Sequence, residues 1–258
     1  MEDELQPINI FSAFPQATEK RLNKGRRASW INFVGPGKIG KTRFLVDAMK
    51  HLRILYIDCD PMQGTKPYDG TFWVCSDYEE LEKCIAWAEY YKKELAIDIV
   101  VVDTLDGMFS LIERHYCKKH KTEDLKSIVI PGVGNGYSIA YNDFKGDKVS
   151  RIQALGKCLI TVSHVRDIRM GKSDIVAQTK TQLDFPAGLT EWVHSSADTH
   201  LWMSMTMDEE HEKPYMRITQ TTTDPYRTFE GGSRNYPGLY DVENEFKLME
   251  YLITNYKD

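Results

Sequence analysis

Eight consecutive residues, Gly35-Pro36-Gly37-Lys38-Ile39-Gly40-Lys41-Thr42, match G-x-x-x-x-G-K-[ST] in full. The chemistry such a run performs is polyphosphate binding. Its glycines let backbone N–H groups converge on phosphate oxygens, and a helix that follows turns its positive end toward them. In that arrangement Lys41 reaches the β- and γ-phosphates of ATP and Thr42 offers its hydroxyl to Mg²⁺; Gly35 through Arg43 form the cofactor-binding segment. Placing the metal needs a second oxygen ligand. Asp103 supplies it at the end of Ile97-Asp98-Ile99-Val100-Val101-Val102-Asp103, the most hydrophobic strand of the chain. A carboxylate at the carboxyl edge of a parallel sheet faces the crevice where ligands bind, so Thr42 and Asp103 are the expected metal ligands.

These groups need elements to hold them. The apolar run Ser29–Val34 leads into the glycines, and Phe44, Leu45, Ala48 and Met49 recur at near-helical spacing, predicting a helix over Thr42–Lys50. Arg53–Ile57 predicts a second strand ending in Asp58-Cys59-Asp60-Pro61, and Tyr78–Leu95 a helix capped by Ser76 or Asp77. Ile97–Asp103 is almost unbroken in apolar character, as in a parallel sheet buried on both faces. Helices follow over Asp106–Cys117 and, after a glycine-rich loop at Gly132–Gly136, over Tyr137–Leu155; Lys157–Ser163 makes a fourth buried strand. Arg166–Asp184 is polar and cationic and reads as a long loop, while Ala197–Met207 and Tyr215–Thr223 read as late antiparallel strands. Asp241–Tyr256 predicts a closing amphipathic helix, with Val242, Phe246, Met249 and Ile253 on one face. This alternation predicts an α/β fold in three α/β/α layers around a mostly parallel sheet. It divides into a basic arm at 1–28, a core at 29–235 and the helix at 236–258.

Composition narrows the function classes. At 258 residues the chain suits one large α/β domain, and 28% charged residues is too ordinary for wholesale disorder. Five cysteines (Cys59, Cys75, Cys84, Cys117, Cys158) are scattered without a C-x-x-C pair, which argues against a disulfide scaffold or a four-cysteine zinc site. No apolar run approaches the ~20 residues of a membrane helix, and Met1-Glu2-Asp3-Glu4 lacks the features of a signal peptide. The expectation is a soluble cytoplasmic protein with no membrane contact. A net charge of −5 leaves any nucleic-acid contact to local cationic patches. Two stand out: Lys20–Arg27, with five cations in eight residues, and Lys118, Lys119, Lys121 and Lys126. His115-x-Cys117-x-x-His120 has three potential metal ligands but no evident fourth, and reads as helix surface.

The carboxylate that activates water is left between two candidates. Thr104 follows Asp103, so the Asp-Glu pair of many AAA proteins is absent, and Asp60, or else Asp58, becomes the candidate to orient the attacking water. The segments Val34–Thr42, Tyr56–Asp60, Val100–Thr104 and Leu159–His164 stand in the order found in phage-encoded RecA-like AAA ATPases, which include single-strand annealing proteins. Gly134-Asn135-Gly136-Tyr137 also resembles their glycine-tyrosine segment, and the resemblance covers residues 29–235.

The resemblance implies a Mg²⁺-dependent ATPase acting on single-stranded DNA in phage recombination, annealing or repair, in a host-cell cytoplasm. By position it implies that His164 senses the γ-phosphate and that Arg166, Arg169, Lys172 and Lys180 belong to a DNA-binding loop. It further implies a homo-oligomer in which Arg227 and Arg234 are candidates to reach a neighbour's γ-phosphate, with a single-stranded DNA-binding protein as a candidate partner. The amino-terminal helix-and-strand module and carboxyl-terminal domain of full RecA have no counterpart, which favours annealing or mediator function over strand exchange. Two other readings stay open. One is a P-loop kinase of a nucleotide or other small molecule, using Asp58 or Asp60 as base and Arg166 and Arg169 in a lid. The other is a nucleotide-gated scaffold with negligible turnover.

Overall fold

A computed structural model describes residues 29–49, 52–60, 65, 72–132, 134–170, 178–206, 215–219, 227–228 and 240–241. The basic arm at 1–28, Lys172, Arg234 and positions 242–256 of the expected closing helix lie outside the described residues. In chain order the first elements are β1 (Ser29–Val34), α1 (Lys41–Ala48), β2 (Ile54–Asp58), β3 (Phe72–Val74), α2 (Tyr78–Tyr90), α3 (Lys92–Leu95), β4 (Ile99–Asp103) and α4 (Leu105–His120). Next come β5 (Val129–Ile130), β6 (Gly134–Asn135), α5 (Gly136–Asn142), a π-helical segment (Asp143–Val149), α6 (Ser150–Leu155) and β7 (Cys158–Ser163). The chain continues through β8 (Val165–Met170), β9 (Gln178–Leu183), α7 (Ala187–Ser196), β10 (Thr199–Thr206), β11 (Tyr215–Thr219), β12 (Arg227–Thr228) and β13 (Tyr240–Asp241).

The main sheet has the order β13-β11-β10-β1-β7-β4-β2-β3. From β10 to β3 neighbouring strands run parallel. Side chains alternate between the two faces along each strand, and each face collects its own core. Ile31, Phe33, Tyr56, Val101 and Ile160 meet Phe44 and Leu45 of α1. Trp30, Val100, Val102 and Leu159 meet Leu81 of α2, Met108 of α4, Ile152 of α6 and Leu189 of α7. The three-layer α/β/α arrangement expected from the sequence is therefore present. A buried polar chain pins β1 to β7: Trp30 Nε1 donates to Thr161 Oγ1 (2.8 Å), and Asn32 Oδ1 accepts from the hydroxyls of Thr161 (2.8 Å) and Ser163 (2.9 Å).

The structure corrects two expectations and adds to the others. The stretch Arg166–Asp184 is not a long loop: β8 and β9 form an antiparallel hairpin, and β12 adds to it to make a separate three-stranded sheet. Its strand signal is the burial of Thr181 and Leu183, alternating with polar positions, which the surrounding charge obscures. Helix α7 has no counterpart in the sequence reading; it buries Leu189 and Val193 just beyond Pro186. The strand expected from Ala197 does pair antiparallel with β11, but on its other side it runs parallel to β1. Asp241, expected to start the closing helix, lies in β13 opposite Arg217.

The helix expected over Tyr137–Leu155 begins at Gly136 and passes through the π-helical turn. That turn carries the fully buried Lys148 toward Asp143 (2.8 Å), Asp147 and Glu82. Asp77 caps α2 as expected, accepting from Glu80 N at 2.8 Å.

Where α4 leaves the sheet it crosses the turn after β2 at minimal separation. A Cβ on Gly107 would stand 2.3 Å from the Cys59 carbonyl oxygen, a backbone atom that cannot move aside without dragging Asp58 and Asp60 with it. Gly107→Ala is therefore expected to destabilise the fold by about 1–3 kcal/mol and to lower Tm by several degrees, roughly 2–4 °C per kcal/mol. A thermal melt superimposable on that of the unsubstituted protein would contradict this packing.

Candidate nucleotide-binding site

The loop between β1 and α1 closes with Gly40 at φ +96°, in the left-handed region that favours glycine, and α1 begins at the next residue. Lys41 folds back beneath the loop, buried, with Nζ donating to the carbonyls of Gly35 (2.8 Å) and Pro36 (2.7 Å). Burial pulls its pKa down to about 8, against the upward pull of Asp103, Asp106 and Asp60. Lys38 is exposed, and Arg43 points outward with Nε 3.5 Å from Asp47.

Asp103 is 2% exposed at the end of β4. Its Oδ2 accepts from the Thr42 hydroxyl (2.7 Å) and from the Tyr56 phenol (2.7 Å). Burial pushes the carboxyl pKa up, while these two hydrogen bonds hold the ionised form. Its backbone carbonyl accepts from Cys59 N (2.6 Å) and Asp60 N (3.1 Å), so the turn after β2 hangs from the end of β4. The Asp103–Thr104 peptide is cis, and Thr104 caps α4 by accepting from Gly107 N (3.0 Å).

The two carboxylates of that turn differ in surroundings. Asp58 is buried; its Oδ1 accepts from Asp60 N (2.9 Å) and its Oδ2 from Thr65 N (3.4 Å) and the Thr65 hydroxyl. Asp60 is half-buried, near enough to Lys41 and His164 to shift both.

His164 follows β7 directly. Asp106, in the first turn of α4, accepts from its backbone N (2.9 Å) and lies 3.0 Å from Nδ1. That hydrogen bond, against partial desolvation, raises the imidazole pKa. Lys41, Thr42, Asp60, Asp103 and His164 thus gather at one edge of the sheet.

The residues assigned to DNA or to a neighbour lie on the smaller sheet. Arg166 is engaged at the hairpin base, donating from Nη2 to Phe185 O (2.9 Å) with Nη1 3.8 Å from Asp184. Backbone register sets Arg169 and Arg227 on either side of Thr179, and Lys180 opposite Ile168 and Thr228. His115 stacks on Tyr78 at 3.9 Å and Cys117 is buried, and among the described residues no cluster of His, Cys, Asp or Glu could hold a metal ion. No described helix is long and apolar enough to cross a membrane.

Sequence reasoning missed Tyr56 and Asp106. Asp106 carries a signal, a carboxylate three residues past Asp103 in the first turn of a helix. Tyr56 carries none, since only its place on the strand beside β4 brings it to Asp103.

A glycine-rich phosphate loop between a buried strand and a helix, on a mostly parallel sheet covered on both faces, defines a RecA-like P-loop NTPase. A family model described as an AAA domain matches residues 30–235, and the chain belongs to that family. No curated protein matches it significantly. Solved structures similar to it include the flagellar accessory protein FlaH from Methanocaldococcus jannaschii, at 13% identity over 88% of this chain and 91% of that one, with a TM-score of 0.41. A KaiC-like protein from the hyperthermophilic archaeon Pyrococcus horikoshii matches at 9% identity over 84% and 87%, with a TM-score of 0.42. An ATPase from the type III secretion system of pathogenic bacteria matches at 9% identity over 69% of this chain and 52% of that one, also at 0.42.

The Tyr56–Asp103 hydrogen bond can be tested by stability alone. Tyr56→Phe keeps the ring that packs edge-on against Phe72 at 5.0 Å and removes only the donor to a buried carboxylate. Loss of a hydrogen bond to a charged group is expected to cost about 1.5–3 kcal/mol. Urea unfolding should show a lower midpoint with unchanged slope, whereas an unchanged midpoint would contradict the assignment.

Proposed function

We propose that the protein binds and hydrolyses ATP with Mg²⁺ and couples that reaction to single-stranded DNA in phage recombination, annealing or repair. The observation that carries the ATPase part is the convergence of Lys41, Thr42, Asp60, Asp103 and His164 on the edge where the loop Gly35–Gly40 ends. The Thr42 hydroxyl and the Asp103 carboxylate, 2.7 Å apart, are the hard oxygen donors that Mg²⁺ takes. A bound Mg²⁺ would supply charge neutralisation between the β- and γ-phosphates. The chain's own part is positioning. Lys41 exchanges the carbonyls of Gly35 and Pro36 for phosphate oxygens. Asp60 orients the attacking water from the turn after β2, where its charge reaches both Lys41 and His164. His164 contacts the γ-phosphate from the end of β7.

The DNA part is supported by the small sheet. Its hairpin starts directly after His164 and is tied to it by the bond from Asp184 N to His164 O (3.0 Å). Arg169, Lys180 and Arg227 fall in adjacent rows of that sheet. Arg169 and Arg227, in one row across Thr179, offer the sequence-tolerant charge that single strands take. The active form is read as a homo-oligomer in which Arg227 or Arg234 reaches a neighbouring site. The kinase reading is disfavoured because a β-hairpin, with Arg166 engaged at its base, occupies the stretch that a lid would use.

Steady-state turnover tests the catalytic assignments. Lys41→Ala and Asp103→Asn are each expected to reduce ATP hydrolysis at least about 10²-fold. Asp60→Asn should lower turnover while sparing nucleotide affinity, since its task arises in the transition state. Normal turnover in folded Lys41→Ala protein would refute the ATPase reading, and an effect at Asp58 alone would move the water-orienting role there.

Salt dependence tests the DNA assignment. Neutralising Arg169, Lys172 and Lys180 together should remove about three phosphate contacts and flatten the log–log salt slope of single-strand binding by roughly two, at ~0.7 per contact. An unaltered affinity and slope would shift attention to Lys20–Arg27.

A further inference from the structure

The carboxylate of Asp106 faces the nucleotide edge, yet the hydrolytic scheme above gives it no task. We propose that Asp106 is a positioning residue that holds His164 as a two-proton imidazolium, so that Nε2–H, and not a lone pair, is presented to the γ-phosphate. The proposal deepens the ATPase reading and rests on it.

Asp106 fixes His164 at two points. Its Oδ1 accepts from the His164 backbone N–H at 2.9 Å, and its Oδ2 stands 3.0 Å from Nδ1. The Thr104 hydroxyl donates to the same Oδ2 at 3.2 Å and steadies the carboxylate from the start of α4. An ionised carboxylate only accepts hydrogen bonds, so Nδ1 must carry a proton in either charge state of the ring. The consequence falls on the other nitrogen. A neutral ring of this tautomer exposes a lone pair at Nε2, which repels a phosphate oxygen; only the imidazolium has a donor on both sides.

Three charged groups bear on the ring from three elements: Asp106 from α4, Asp60 from the turn after β2, and Lys41 from α1. The two carboxylates outweigh the single ammonium. Partial desolvation opposes them, and the net direction is upward from the usual imidazole range. The imidazole pKa is raised in the fold, so the stabilisation from this pair is fully present below the ordinary value of about 6.5. It is lost as pH rises through the raised value. Turnover should follow the same sign, high while the ring is charged and falling on the alkaline side.

The test combines a titration with a pH–rate profile. The ring of His164 is followed by NMR in the nucleotide-free protein, with His164→Gln identifying its signal. It should titrate above pH ~6.5, with Nδ1 protonated throughout. Asp106→Asn keeps an acceptor but removes the charge, and should lower that titration by about one unit or more. The alkaline limb of kcat/KM should move to lower pH by a matching amount. His164→Gln, which carries N–H donors at every pH, should give reduced turnover and lose the ring's contribution to that limb, leaving the fall that Lys41, with its pKa at about 8, imposes. His164→Ala should lose about 10²-fold.

A wild-type ring titrating at or below pH ~6.5 would overturn the proposal. So would an Asp106→Asn titration and limb that do not move, or a His164→Gln pH profile identical in shape to that of the unsubstituted protein. If Asp106→Asn does not fold, the wild-type titration and the His164→Gln profile decide alone. Absence of ATP turnover at every pH would instead refute the ATPase reading, and the nucleotide-free titration would still decide the Asp106–His164 pairing.

Discussion

Parallel pairing in strict register governs this molecule. Val34 of β1 stands opposite Ser163 of β7, Asp103 of β4 opposite Val162 of β7, and Asp58 of β2 opposite Asp103. Four strands far apart in sequence therefore end on one edge, and whatever each carries just past its end is delivered to the same place. Burial on both faces enforces the register, because a slip of one residue would turn every side chain to the opposite layer. Asp103 shows what that means for chemistry: it shares the face of Ile99 and Val101, on the side where α1 packs and Thr42 waits.

The same edge concentrates charge that the interior would otherwise reject. A buried carboxylate costs several kcal/mol unless hydrogen bonds compensate, and Asp103 has two from side chains, Thr42 and Tyr56. Lys41 meets its own need through the carbonyls of Gly35 and Pro36. Thr42 and Asp103 are arranged before any ligand arrives, which is what electrostatic stabilisation requires. The loop carbonyls under Lys41 are neutral acceptors, and phosphate oxygens are stronger ones. The ammonium therefore has an energetic reason to change partners when polyphosphate binds. Farther out, the cations of the hairpin lie on a separate small sheet joined to the edge at His164 and Asp184.

Much of this was legible in the sequence. Ile97–Asp103 and Lys157–Ser163 are apolar enough to declare buried parallel strands, and the glycines before Lys41 declare the phosphate loop. What stayed hidden obeys weaker or longer-range rules. In Gln178–Leu183 Leu183 is the one apolar residue, so the strand period of two that buries Thr181 and Leu183 has little apolar signal in the sequence. Helix α7 is ten residues behind a proline, too short for its helical period to stand out. Lys148, in the π-helical turn, pairs with Glu82 on a different helix. Tyr56 and Asp106 acquire roles only through partners 47 and 58 residues away, a distance over which local pattern carries no information.

The edge formed by β1, β2, β4 and β7 is proposed as a Mg²⁺–nucleotide site with Lys41 as its movable cation. A crystal structure with Mg²⁺ and a non-hydrolysable ATP analogue tests it most directly. The triphosphate is expected in the loop Gly35–Gly40, with Lys41 Nζ moved from the carbonyls of Gly35 and Pro36 onto phosphate oxygens. The metal is expected beside Thr42 and Asp103. An analogue bound elsewhere, or Lys41 still on its loop carbonyls with the phosphates in place, would contradict it.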